Sequence, residues 1–205
     1  MSSYIDLVDT QKPEHNWEGH YLLKEGDVFV EAGAFWGRYG RIASKKVGPQ
    51  GRVVLIEASP ENQNTIEALI KRDDLTNVTL VKGAVWSSKG TSNFITWGNP
   101  AGHRLAKEDD SKNYPSNVSQ VELLTLDDII TNLGIDVVNL LSCDVEGAEV
   151  EMVKGANGLF RLGKIRNVAL AAYHAPGNPE KIMEILGIKG FKALKYEEGI
   201  VYGHV

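Results

Sequence analysis

The sequence predicts an α/β domain with a mostly parallel, Rossmann-like sheet, helices on both faces and an antiparallel C-terminal hairpin. Two observations carry this. Short β-branched runs bounded by turn residues alternate with longer segments of helical period, the pattern of successive βαβ units. The last two runs are joined only by Glu197-Glu198-Gly199, a link that permits a hairpin and no crossover. The 205 residues suit one compact domain, read here as residues 27–205, preceded by a segment 1–26 that can act as a lid.

Asp27-Val28-Phe29-Val30 is the first expected strand, and a turn leads from it into a helix over about 36–46, with Tyr39, Ile42, Ala43 and Val47 as its buried stripe and Gly48 as its stop. Val53-Val54-Leu55-Ile56 is the second strand. Ser59-Pro60-Glu61 then opens a helix to about 72, with serine at the N-cap, proline at the first helical position and an acid in the first turn. Lys45-Lys46 and Lys71-Arg72 fall in the last turns of these helices, where cations complement the dipole. Val78-Thr79-Leu80-Val81 is the third strand. Residues 87–117 are expected to be irregular apart from the β-like run Phe94-Ile95-Thr96-Trp97, and a loop of that length is a natural place for substrate contacts. Further on, Thr125 with Asp127 and Asp128 starts a helix that ends near Gly134. Residues 136–143 form a fourth strand, 148–159 a helix, 164–173 a fifth strand and 179–186 a last helix, before the hairpin strands 191–196 and 200–204.

Composition narrows the function classes. Hydrophobic residues at 42% and charged residues at 24% describe an ordinary globular chain. The longest apolar runs fall well short of the roughly 18 residues that span a bilayer, and the N-terminus lacks a basic flank and an apolar h-region, so a cytoplasmic location without membrane partners is expected. Cys143 is the single cysteine, which excludes an internal disulfide, and its place at the end of an apolar strand suggests a structural thiol. A net charge of −5 argues against a protein that grips nucleic acid through many phosphates. A small-molecule partner is expected instead.

The turn Glu31-Ala32-Gly33-Ala34-Phe35-Trp36-Gly37 lies between strand and helix, where open α/β sheets bind nucleotide-like ligands. A dinucleotide site wants a second glycine where this chain has Phe35, so a pyrophosphate is poorly served. Glu31 adds an anion that disfavours phosphates and suits a ligand carrying a sulfonium and an ammonium. Glu57 ends the second strand 24 residues after Gly33, about where an acid accepts bonds from ribose hydroxyls. An adenosyl ligand without phosphates satisfies all of these positions.

The runs Val30 to Tyr39, Leu55-Ile56-Glu57-Ala58-Ser59-Pro60, Leu124-Thr125-Leu126-Asp127-Asp128 and Cys143-Asp144-Val145-Glu146-Gly147-Ala148-Glu149, with Lys154-Gly155-Ala156, resemble the FkbM-type methyltransferases. The resemblance implies the class I methyltransferase fold, a seven-stranded sheet with one antiparallel strand. It also implies S-adenosylmethionine as cofactor and O-methylation of a hydroxyl on a sugar or similar metabolite. The family's first loop usually carries an aspartate and an asparagine where this chain has Glu31 and Phe35. The fifth strand commonly ends with an acid near a histidine, and Ala171-Ala172-Tyr173-His174 lacks that acid.

On this reading the cofactor is held by Glu31, Gly33, Ala34, Phe35, Gly37, Tyr39, Glu57, Ala58, Gly83, Ala84 and Asp144, with Gly83-Ala84 edging the adenine. Methyl transfer is an in-line displacement that depends on alignment and gains from a base at the attacking hydroxyl. His174 is the leading base because an unperturbed imidazole titrates near neutral pH. Asp144 and Glu146 accompany it as catalytic candidates, while Glu149, His103 and Arg104 are expected to contact substrate. No metal is assigned, and Asp144, Glu146 and His174 are the set that would gather one in the alternative. Acceptor specificity then falls to residues 1–26, to 87–117 or to the second subunit of a homodimer. The competing functions are methylation of RNA or protein, nicotinamide-dependent dehydrogenation, and cofactor binding without catalysis.

Overall fold

The computed structural model describes residues 5–10, 15–96, 102–106 and 118–205. Seven strands form the main sheet: β1 (Val28–Ala32), β2 (Arg52–Glu57), β3 (Val78–Lys82), β8 (Val138–Cys143), β9 (Ile165–Ala171), β10 (Lys192–Glu197) and β11 (Ile200–His204), in the order β10-β11-β9-β8-β1-β2-β3. β1 pairs in parallel with β2 and β8, and the parallel ladder extends outward to β3 and β9. β11 alone runs against its neighbours β9 and β10. The strand order reverses between β1 and β8, so the carboxyl ends of these strands open the crevice where such sheets bind ligands.

Alternation along the central strands sorts their side chains into two cores. Val30, Val54, Ile56 and Leu141 point to one face, where Met152, Phe160, Ile182 and Leu186 cover them. These come from α5 (Glu149–Gly155), α6 (Asn157–Arg161) and α7 (Asn178–Ile188). Phe29, Val53, Leu55 and Leu140 point to the other face, against Tyr39, Ala43, Val47 and Ile66 from α2 (Arg38–Val47) and α3 (Pro60–Arg72). Trp17 and Leu23 join this second core, so the chain ahead of β1 is packed onto the sheet. The short α1 (Ile5–Thr10) sets Val8 against Leu69 of α3.

Three elements depart from expectation. The stretch after β3 contains a second sheet of β4 (Ala84–Val85), β5 (Gly90–Ile95), β6 (Arg104–Leu105) and β7 (Val118–Leu124), in the order β4-β7-β5-β6. Its alternating pattern is diluted by glycines and polar residues, and only Ala84, Val85, Phe94, Ile95 and Val121 of its described strands are buried, so the apolar signal is faint. Trp97 and most of the remaining 87–117 segment lie outside the described residues. Second, α2 begins at Arg38, two residues late, because Phe35 and Gly37 both take left-handed backbone, with φ of 53° and 72°. Third, the helix expected over 148–159 is two, broken at Ala156. The break is held by Asp127 of α4 (Leu126–Asn132), whose carboxylate accepts the N–H groups of Gly158 and Leu159 at 2.7 and 2.9 Å.

Cys143 ends β8 fully buried, and burial together with the charges of Glu149 and Asp144 pushes its thiol well above the ordinary range. Lys45, Lys46, Lys71 and Arg72 do lie in the last turns of α2 and α3. Among the described residues no helix is long and apolar enough to cross a membrane.

Because Asp127 alone supplies both acceptor oxygens to the start of α6, Asp127→Ala is expected to cost about 1–2 kcal/mol. Thermal unfolding would show this as a midpoint roughly 3–6 °C lower, with Asp127→Asn, which keeps one acceptor oxygen, falling between.

Candidate active site

The site is built where β1 and β8 end side by side. Asp144 donates its N–H to the Ala32 carbonyl at 2.9 Å, while Gly33 and Ala34 donate theirs to Ile56 at 2.9 and 3.1 Å. Gly33 takes φ of 81°, and a Cβ there would stand 1.8 Å from the Asp144 carbonyl oxygen, so no other residue fits this crossing. Gly37, at φ of 72°, lines neither of the two pockets at this site, and a Cβ on it would meet Ile66 and Leu55 at 3.3 and 3.4 Å.

Glu57 ties the turns together. Its Oε2 accepts the Phe35 N–H at 2.8 Å and its Oε1 the Ser59 N–H at 2.7 Å. Burial pushes its carboxyl up to about 7 in spite of these bonds. Ser59 stands at the N-cap of α3, but its hydroxyl makes no capping bond and pairs with His103 Nδ1 at 2.9 Å. His103 and Arg104, expected at the substrate, therefore sit on the wall shared with Glu57 and Ala58.

That wall belongs to a cleft open to solvent, of about 540 Å³, lined also by Gly33, Phe35, Ile56, Val85, Gly83, Ala84 and Asp144. A second pocket of about 390 Å³ is lined by His15, Trp17, Glu31, Arg38 and Tyr39. The two share Gly33, Phe35 and Asp144. Tyr39 reaches the second pocket with its ring, its hydroxyl being donated to Glu18 at 2.6 Å. Glu31 is 5% exposed and its Oε2 has no hydrogen-bond partner among the described residues. Burial raises its carboxyl to about 8, against the opposing bonds from Trp17 and the Gly40 backbone.

On the far side of Asp144 the fold gathers all four expected catalytic and substrate acids and bases of the β8 and β9 ends. His174 Nδ1 bonds Glu149 Oε1 at 2.7 Å, and its Nε2 lies 3.3 Å from Asp144 Oδ1 and 3.5 Å from Glu146 Oε2, within ion-pairing range but off a good hydrogen-bond line. Two expectations are corrected here. Burial by itself would lower the His174 imidazole, but the carboxylates of Glu146, Glu149 and Asp144 outweigh it and raise the ring to about 10. The raised ring favours the imidazolium, which must give up its Nε2 proton before that nitrogen can act as a base or a lone-pair donor. Glu149, expected to touch substrate, is fully buried and instead accepts the N–H groups of Val145 and Gly147 at 3.3 and 3.1 Å, with Asn178 at 3.3 Å.

Residues 27–196 match the family described as the methyltransferase FkbM domain. The chain belongs to the FkbM methyltransferase family. Among solved structures, the methyltransferase FkbM of Methylobacillus flagellatus KT superposes with a TM-score of 0.67 at 18% identity, over 91% of this chain and 46% of that one. The present chain thus spans about half the length of that relative. Aeropyrum pernix fibrillarin, solved with natively bound S-adenosyl-L-methionine, gives a TM-score of 0.54 at 14% identity over 90% of this chain and 69% of its own. In sequence, methyltransferase sdnD of Sordaria araneosa is 26% identical over 196 residues, covering 82% of this chain and 75% of the relative.

Three residues at the site, two of them ahead of the matched FkbM domain, carry no signal in the sequence. His15 Nε2 bonds Asp144 Oδ2 at 2.8 Å, the Tyr173 hydroxyl lies 3.4 Å from the same oxygen, and Trp17 stands beside Glu31 in the second pocket. His15 and Trp17 fall in a segment with no periodic pattern, where the only signal is an imidazole and an indole two residues apart. Tyr173 adjoins His174 and was passed over as the end of an apolar run.

The buried Glu31 carboxyl gives a signed pH dependence. Its folded pKa of about 8 lies above the ordinary 4.5, so its contribution to stability is full below about pH 4.5 and is lost as pH rises through 8. Between pH 5 and 8.5 the ligand-free Glu31→Gln variant is therefore expected to lose less thermal stability than the wild type. Equal losses in the two melting series would contradict the assignment.

Proposed function

We propose that this chain binds S-adenosylmethionine across both pockets, adenosyl part in the larger and amino-acid tail in the smaller, and methylates a hydroxyl of a sugar or other neutral small metabolite. The observation that carries the reading is that the pockets meet at Gly33, Phe35 and Asp144. A ligand bent over Gly33 fills both and leaves its sulfonium beside Asp144.

Each half offers the chemistry its part requires. Glu57 keeps its carboxylate at the ribose position, with Ala58 and Ala84 flanking an apolar slot for the base. Glu31 and Arg38 line the smaller pocket with a carboxyl and a guanidinium, the pair that an ammonium and a carboxylate on a single carbon match. The partnerless Oε2 of Glu31 is a buried acceptor that an ammonium satisfies, and a cation there favours the ionised carboxylate.

S-adenosylmethionine supplies an electrophilic methyl whose sulfonium leaves as a neutral thioether. Asp144 takes the acceptor's hydroxyl proton as the new C–O bond forms and the S–C bond breaks, the electron pair of that bond remaining on sulfur. His15 holds Asp144 by its Oδ2, leaving Oδ1 turned toward His174. Carboxylates at Asp144 and Glu146 accept hydrogen bonds from hydroxyls and repel phosphates, which supports a neutral polyol over a nucleic acid.

Titration calorimetry with S-adenosylhomocysteine and with NAD tests the cofactor, and binding of the first alone is expected, weakened at least ten-fold by Glu57→Ala. Arg38→Ala tests the division between pockets. It is expected to weaken S-adenosylhomocysteine but not methylthioadenosine, which lacks the amino-acid tail; equal loss for both would mean that Arg38 acts on the fold and not on the tail.

A further inference from the structure

We propose that Asp144 Oδ1, Glu146 Oε2 and His174 Nε2 form a binding site for one divalent cation of the Mn²⁺ class. The three side chains each offer one donor atom, and these donors lie within 4.8 Å of one another. Two donors bonded to one ion at about 2.1 Å, at angles between tetrahedral and octahedral, stand about 3.0–3.4 Å apart. The His174 ring nitrogen lies 3.3 and 3.5 Å from its two carboxylate oxygens, close to that spacing, and the two oxygens, within 4.8 Å of each other, complete the cluster by a rotation of the partly exposed Glu146 side chain.

Proximity of acids is common without a metal; what singles this cluster out is the histidine. Its side chain is only 9% exposed, and Nε2 is buried, within ion-pairing range of two carboxylates but without a hydrogen-bond partner among the described residues. Asp144 Oδ1 is likewise buried and without one. The two atoms face each other at 3.3 Å as an ion pair, and a metal ion that enters between them displaces the proton of the His174 ring. The opposite ring nitrogen, Nδ1, is fixed on Glu149 at 2.7 Å, and Glu149 is itself held by backbone N–H groups and Asn178. A carboxylate that orients the far nitrogen is the usual support of a metal-binding histidine, fixing the ring and making Nε2 the better donor.

One nitrogen and two carboxylate oxygens suit Mn²⁺, Fe²⁺ or Zn²⁺ more than the all-oxygen sites of Mg²⁺ and Ca²⁺. Glu146 is partly exposed, so the cluster opens toward solvent on that side, and Asp144 also borders the larger cleft. An ion there can bind the acceptor's hydroxyl oxygen and lower the cost of its deprotonation. That role rests on the methyl-transfer reading above, whereas ion binding rests on the cluster alone. The transfer itself keeps the same balance: the C–O bond forms, the S–C bond breaks with its pair on sulfur, and the hydroxyl proton passes to the Asp144 carboxylate.

The test titrates Mn²⁺ into the chelator-stripped chain and follows the loss of the free-ion paramagnetic signal, then examines the bound ion by electron spin-echo modulation. One ion per chain with a ¹⁴N coupling is expected, and Glu146→Gln, which leaves the buried His174–Glu149 pair in place, is expected to weaken binding at least ten-fold. His174→Ala strips the partner from buried Glu149 and can unfold the chain, so the nitrogen coupling in the unaltered protein stands in its place. Absence of stoichiometric binding, or an ion that shows no ¹⁴N coupling and ignores Glu146→Gln, would overturn the site. S-adenosylhomocysteine binding measured on the same samples keeps the two readings apart, since failure of either ligand leaves the other's result intact.

Discussion

Everything at this site hangs on how closely the ends of β1 and β8 approach. The Asp144 N–H reaches the Ala32 carbonyl, and the Asp144 carbonyl lies where a side chain on Gly33 would stand. This contact is made of backbone, so it fixes Asp144 with the rigidity of the sheet and not of a loop. From that anchor the rest follows. Glu57 reaches from the neighbouring strand to hold Phe35 in its left-handed turn, and His174 arrives from the strand on the other side, so four adjacent strand ends converge on one pair of pockets.

The electrostatics show the counterpart of this convergence. Glu31 and Glu57 are buried with too few donors to keep them comfortably ionised, whereas His174 is surrounded by more carboxylate than one imidazolium can neutralise. Such an arrangement is poorly settled by itself and gains from cations brought by a ligand. A protein selected only for stability would have paired or removed these acids.

How far the sequence could be read tracks how local each determinant is. The seven strands of the main sheet were legible because β1, β2, β8 and β9 are apolar runs bounded by clear turns, and Gly33 and Glu57 were legible because their places at strand ends are set by chain order. The second sheet was not, since Val118–Leu124 buries only Val121 on one side and its partners carry glycine and serine. His15 and Trp17 were invisible for a different reason: a segment without secondary structure takes its position from the surface it lies on, which no local pattern encodes. His174 was found, yet its character was misjudged, because a pKa belongs to an environment assembled from Glu146 and Glu149 on one turn and the ring on another.

The burial of Cys143 gives the molecule a built-in clock. Its sulfur lies in the core between the sheet and the helices that cover Val30 and Leu141, one residue before Asp144, and it is held far from its thiolate form. A thiol reagent reaches it only when that core opens, so the rate of labelling counts openings of the core beside the site in the native protein. Whatever occupies the cleft and steadies Asp144 slows that clock, and the retardation reads occupancy from inside the fold without any knowledge of the acceptor.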